Sequence, residues 1–145
     1  MATLVAACIA WLSATSLVRA ETALAPGAWY TEGVERAEYL QAFVTFHPDG
    51  TFEKLLRTLE ACRVRAQWIE SGNWTFSNNQ LQFLTNRVDT RVIDPSDEYY
   101  VNTFNVSPLD DSHVQIFDLE TRLTWKLTAA KQPFQFPEPP DCVVA

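Results

Sequence analysis

Residues 39–52 read YLQAFVTFHPDGTF and contain two β-type runs around one turn. The run from Tyr39 to Phe46 is rich in aromatic and β-branched residues, which favour strands. In the turn that follows, proline fixes φ, aspartate can accept a hydrogen bond from nearby backbone, and glycine accepts positive φ. Because Thr51 and Phe52 begin a new β-type run directly after the Asp-Gly pair, the stretch predicts a β-hairpin.

The same alternation of short β-type runs and turn signals continues along the chain, at the spacing typical of β-sandwiches and barrels. Further strands are predicted at residues 28–31, 72–76, 81–85, 99–106, 113–119 and 122–128. The loop at residues 77–80 carries two asparagines, which tolerate left-handed φ in a hairpin turn. Every connection is short enough for neighbours to pair antiparallel. We therefore predict an all-β fold, an eight-stranded antiparallel up-and-down barrel without exposed edges.

Residues 52–70 are ambiguous, because apolar residues at 52, 55, 56 and 59 also recur at helical spacing. We predict two strands bent near Ala61 and Cys62, since the Asp-Gly turn that comes directly before them favours a hairpin. A helix over this segment is the alternative.

The first twenty residues have the pattern of an export signal. The apolar run at residues 4–12 is shorter than the roughly 20 residues that span a bilayer. Val18 and Ala20 supply small residues for cleavage before Glu21, so we predict a signal peptide over residues 1–20 and a periplasmic or secreted bacterial protein, with no membrane span after cleavage. Lipidation of Cys8, which ends a lipobox-like run, and a buried N-terminal helix are the alternatives.

Cleavage would leave a barrel domain over residues 21–131 and a C-terminal tail over residues 132–145, which is rich in proline. It would also leave Cys62 and Cys142, and an even number of cysteines in an exported chain predicts a disulfide. Such a bond would attach the C-terminal tail to the barrel. Two free buried thiols are the alternative.

The charge balance narrows the range of partners. The chain has 145 residues, 18 acidic against 11 basic side chains, and a formal net charge of -7. This length predicts one domain. Nucleic acid is not an expected partner, because phosphate binding needs a basic face.

Few residues in the chain have catalytic or metal-binding potential. The sequence has two histidines, His47 and His113, and no nucleophile elbow, phosphate-binding glycine loop or HExxH motif. His113 with Asp110 and Asp111 is the one candidate for a metal cluster, and solvated turn residues are the better interpretation. We therefore predict a protein that is not an enzyme and has no metal or cofactor. An enzyme that uses one of these histidines at a barrel mouth is a further alternative.

Several motifs resemble those of the bacterial lipocalin-like secreted domains. Gly27-Ala28-Trp29 stands in the place of the family's G-x-W, and the resemblance continues through residues 46–52, 72–74 and 81–83 to the strands around Trp125. It implies a barrel that binds a small ligand. It also implies a bond between a cysteine near the fourth strand and one near the C-terminus, positions similar to those of Cys62 and Cys142.

Small eight-stranded barrels hold either packed side chains or one small ligand. We predict a pocket for a small apolar or amphiphilic molecule, lined by aromatic residues: Trp29, Phe43, Tyr100, Phe104, Phe117 and Trp125. Arg57, Arg65 and Arg87 are candidates for contacting an anionic ligand inside the barrel, although arginines lie more often outside. The alternative function is a protein-binding module, such as an inhibitor of an exported enzyme. That function would use loops and the C-terminal tail, with Phe134 and Phe136 as contacts.

Overall fold

The structure, a computed structural model, describes residues 24–142. The predicted signal peptide, its cleavage site and Cys8 lie outside the described residues. Within residues 24–142, regular structure consists of nine strands and two single-turn 3-10 helices: β1 (Gly27–Glu35), β2 (Glu38–Phe46), β3 (Thr51–Glu60), β4 (Arg63–Ser77), β5 (Gln80–Val88), β6 (Arg91–Val92), β7 (Val101–Pro108), β8 (His113–Asp118), β9 (Thr124–Ala129), and the helices Glu98–Tyr100 and Pro140–Cys142.

Eight of these strands form a closed antiparallel barrel, which confirms the predicted fold class. Each strand pairs with its neighbour in the chain, except that β5 pairs with β7 across the connection that contains β6. The two-residue β6 pairs only with β5. The ring closes where Trp29 and Tyr30 of β1 pair with Ala129 and Thr128 of β9.

The ambiguous segment 52–70 is β-structure, as predicted. The β3–β4 hairpin turns at Ala61 and Cys62, which both have left-handed φ, 46° and 65°. Pairing of residues 52–59 with β2 holds β3 extended, so the sheet overrides the helical spacing. The strand predicted at residues 72–76 is the second half of β4, a single strand of 15 residues whose pairing with β5 shifts register between Ser71 and Gly72, opposite the extra β5 residue Asn86.

The turn between β4 and β5 follows its local signal. Asn78 and Asn79 have φ of 51° and 57°, as predicted for this hairpin.

The strand predicted from residue 99 begins only at Val101, because Tyr99 and Tyr100 belong to the first 3-10 helix. The Asp97 carboxylate accepts a hydrogen bond from the Tyr99 N–H at 3.2 Å and starts that helix.

One end of the barrel is filled with large side chains. Phe46, Phe52 and Leu81 are almost completely buried there. Trp29 packs in the same cluster, and its Nε1 donates to the carbonyl oxygen of Ala25 at 3.3 Å. This end therefore forms a solid floor.

The C-terminal tail packs on the outer face of β1, β2 and β3. The Phe134 ring stacks on Phe43 with centroids 4.2 Å apart, and the Arg57 guanidinium lies 4.2 Å from the Phe136 ring centroid. Cys62 and Cys142 form the predicted disulfide. The tail thus covers an aromatic part of the barrel's outside.

Polar groups beneath the tail are hydrogen-bonded. Gln41 is fully buried, its Nε2 donates to the carbonyl oxygen of Pro137 at 2.9 Å, and its Oε1 accepts from Arg57 Nε at 2.8 Å. Burial tends to raise the pKa of Glu32, but hydrogen bonds, led by the one from the Tyr30 hydroxyl, hold that pKa below its ordinary value. Burial, with the neighbouring Glu32, raises the pKa of Tyr30. The tail therefore packs its aromatic rings against the barrel, and the polar groups beneath it have hydrogen-bond partners.

Candidate functional site

The half of the barrel opposite the floor contains a cavity of about 350 Å³. Its mouth lies among the β1–β2 turn, the first 3-10 helix and the β8–β9 loop, where Glu38, Tyr99 and Glu120 are exposed. A volume of this size is at the lower end of the range for small-molecule sites. The lining residues are Glu35, Arg36, Glu38, Leu40, Ala42, Val44, Lys54, Leu56, Thr58, Trp68, Glu70, Phe83, Tyr99, Tyr100, Asn102, Phe104, Ile116, Asp118, Glu120, Thr121, Trp125 and Leu127.

The deep part of the cavity is apolar. Val44, Phe83, Ile116 and Leu127 line it, and each is at least 95% buried. Strand alternation explains this composition, because every second residue of each strand faces the interior. Nearer the mouth the lining mixes large residues, such as Leu40 and Trp68, with small or polar ones, such as Ala42.

An ion pair stands in the cavity wall. Lys54 Nζ lies 2.6 Å from Glu70 Oε2, and both side chains are less than one-fifth exposed. The Trp68 Nε1 donates to Glu70 Oε1 at 3.0 Å, and Lys54 Nζ lies 5.2 Å from the Phe83 ring centroid. Burying two charges costs free energy that good geometry and additional hydrogen bonds offset. The result is a fixed, charge-balanced polar group beside the apolar part of the cavity.

The structure brings half of the predicted aromatic lining together. Tyr100, Phe104 and Trp125 line the cavity. Trp29 faces the interior but belongs to the filled floor. The positions predicted for Phe43 and Phe117 are corrected: both lie on the outer face, because the residues on either side of them along β2 and β8 are buried inside. Phe43 contacts the C-terminal tail, and Phe117 lies 5.0 Å from the Arg122 guanidinium.

Sequence reasoning missed most residues of this wall, among them Phe83 and Trp68. The alternation of Leu81, Phe83 and Thr85 carried a usable signal for Phe83, whereas the ambiguity of segment 52–70 concealed Trp68. Gly33 also shapes the wall, because a Cβ atom at this position would lie 2.7 Å from the Trp125 ring. The ring thus lies across Gly33 beyond Tyr30 and Thr128, where the β1–β9 pairing ends.

The arginines proposed for an anionic ligand do not line the cavity. Arg57 lies beneath the C-terminal tail, and Arg65 is exposed with its Nη1 2.9 Å from a carboxylate oxygen of Glu60. Arg87 is exposed on β5 and is not among the lining residues. The observed cavity is therefore not a basic one.

The histidines lie away from the cavity, His47 in the turn after β2 and His113 at the start of β8. His47 is exposed after β2, and His113 Nδ1 lies 2.8 Å from the Asp110 carboxylate. The Ser112 N–H and His113 hold the pKa of Asp110 at about 2. Among residues 24–142, no three His, Cys, Asp or Glu side chains are grouped so that they could hold a metal ion. The same residues include no helix that is both long and apolar enough to cross a membrane.

Two comparisons with known proteins found no relative of this chain. No family model matches the chain, and a search of curated proteins found no match.

Proposed function

We propose that this protein is a non-enzymatic, lipocalin-like binding protein of an exported compartment that holds a small, partly apolar molecule inside its barrel. The observation that carries the proposal is the open cavity of about 350 Å³ in a barrel whose opposite end is solid. A barrel that served only as a packed scaffold would gain stability by filling this space.

The chemistry of the wall supports a ligand with two parts. The apolar residues of the deep cavity favour a hydrocarbon or ring portion. The Lys54–Glu70 pair beside Phe83, together with Asn102 and Thr58, offers hydrogen bonds to a polar portion. Such a ligand would be desolvated at one end and polar at the other.

Export is supported by the disulfide and by the predicted signal peptide. Disulfides persist mainly in oxidising compartments such as the periplasm and the extracellular space. The disulfide between Cys62 and Cys142 is compatible with such a compartment. In contrast, Phe134 and Phe136, which the protein-binding alternative would use, are half-buried and pack against the barrel and each other.

Filling the cavity tests the proposal. Ala42 is 5% exposed and lines the cavity, so Ala42→Phe would place a ring in the ligand's space. We expect the purified protein to bind the neutral fluorescent probe N-phenyl-1-naphthylamine, and Ala42→Phe to weaken that binding at least about tenfold, which is about 1.4 kcal/mol. Fluorescence titration measures the change, and circular dichroism checks the fold.

Thr75→Phe is the matched control, because Thr75 is exposed on β4 and does not line the cavity. It should leave probe binding unchanged. The smaller Ala42→Leu gives a graded result if the phenylalanine variant does not fold. Probe binding that is unaffected by both folded Ala42 variants would place the probe outside the barrel and contradict the proposal.

A further inference from the structure

We infer that the ligand carries a positive charge beside its apolar portion, and that Asp118 is the residue that contacts this charge. The inference rests on the proposed function and names the chemical class of its ligand, an amphiphilic amine. It comes from the unpaired charges of the cavity wall, which the proposed function does not use.

Asp118 is a buried carboxylate without a cationic partner. It is 8% exposed, ends β8 and lines the cavity near its mouth. Its Oδ1 accepts hydrogen bonds from the backbone N–H groups of Glu120 at 2.8 Å and Thr121 at 3.1 Å. In the part of the chain that the structure describes, no Lys, Arg or His nitrogen lies within 4.0 Å of this carboxylate. A buried charge is costly unless it is paired, so a cation from outside the chain would complete the site.

Aromatic rings accompany this carboxylate. Phe104 is the direct cross-strand partner of Asp118, and both residues line the cavity. Trp125, on the neighbouring strand, lines it as well. Aromatic faces attract ammonium groups through their quadrupole, and this attraction is stronger when the cation is desolvated. A carboxylate beside aromatic rings is thus a suitable environment for an amine.

The other charged residues of the cavity wall also favour a cationic ligand. Lys54 and Glu70 neutralise each other, and Glu38 lies 3.8 Å from Arg65 outside the cavity. The remaining lining charges are the carboxylates of Glu35, Asp118 and Glu120 and the single guanidinium of Arg36. The mouth is therefore net negative, which attracts cations and repels anions.

Three probes with the same eight-carbon chain test the inference: n-octylammonium, 1-octanol and n-octanoate. Each is titrated into the purified full chain by calorimetry at about 20 mM salt, where screening is weak. We expect n-octylammonium to bind about tenfold more tightly than 1-octanol, and n-octanoate to bind more weakly than either.

Asp118→Asn is the decisive variant, because the amide oxygen can still accept the two backbone hydrogen bonds while the charge is lost. It should reduce the advantage of n-octylammonium over 1-octanol from about tenfold to none. Asp94→Asn is the control, because Asp94 accepts the same kind of turn hydrogen bond from Ser96 N–H but is exposed away from the cavity. It should change neither affinity.

The outcomes separate this inference from the proposed function. If 1-octanol binds and n-octylammonium has no advantage, or keeps its advantage in Asp118→Asn, the inference is wrong and the binding barrel stands. If neither of these two probes binds, both are wrong.

Discussion

Replacing Gly72 by alanine is expected to destabilise the protein by about 3 kcal/mol, at the upper end of the cost of overpacking. Gly72 is buried on β4, opposite the β5 bulge at Asn86. A Cβ atom there would lie 2.0 Å from the carbonyl oxygen of Leu84 and 3.0 Å from the backbone nitrogen of Asn86. Both obstacles are backbone atoms of β5, so the two strands would have to separate at this point.

Urea denaturation followed by fluorescence measures this loss. Gly33→Ala is the informative comparison, because its added Cβ would meet the Trp125 side chain rather than backbone. A ring can shift toward the cavity, so we expect that variant to lose only about 1 kcal/mol. Ser71→Ala, at the neighbouring β4 position, should have a smaller effect still. A Gly72→Ala protein as stable as the original would show that the bulge is not closely packed.

Removing the disulfide by Cys62→Ser with Cys142→Ser is expected to cost about 4 kcal/mol of unfolding free energy. The bond joins residues separated by 80 positions, so it restricts the unfolded chain strongly. Loss of the bond would also weaken the attachment of the C-terminal tail, and release of the tail would expose Gln41 and Phe43 on the outer face.

Urea denaturation of the oxidised and the dithiothreitol-reduced protein gives the same comparison without a mutation. The double serine variant with dithiothreitol is the control, and the reductant should not change its stability further. Equal stability of the oxidised and reduced proteins would contradict the prediction. Because the cavity lies inside the barrel and the tail outside it, probe binding should survive reduction wherever the barrel remains folded.

Local sequence patterns predicted much of this architecture. The Asp-Gly turn before Thr51 and the paired asparagines at residues 78 and 79 marked hairpins, because their side chains and backbone freedom suit those turns. Turns at Arg36 and Ala37, and at Ala61 and Cys62, also have positive φ without the usual residues. There the pairing of long strands on either side fixes the turn, so local chemistry could not reveal it.

The cavity shows where prediction from sequence ends. Aromatic content pointed to Tyr100, Phe104 and Trp125, which line the cavity, since large rings are expected to face the inside of a small barrel. It failed for Phe43 because the C-terminal tail provides a second apolar environment outside the barrel. Which face of a strand is buried depends on what covers the other face, and distant residues supply that cover.

The sequence alone thus determined the all-β class, most strand positions and the pair of cysteines available for a bond. Alternation, turn residues and cysteine number can all be read from the chain without knowledge of its tertiary contacts. Only the tertiary structure decided that residues 63–77 form one bulged strand, that the tail packs outside, and that Asp118 lines a cavity without a cation. Each of these depends on contacts between residues far apart in the chain, whose energies no local pattern records.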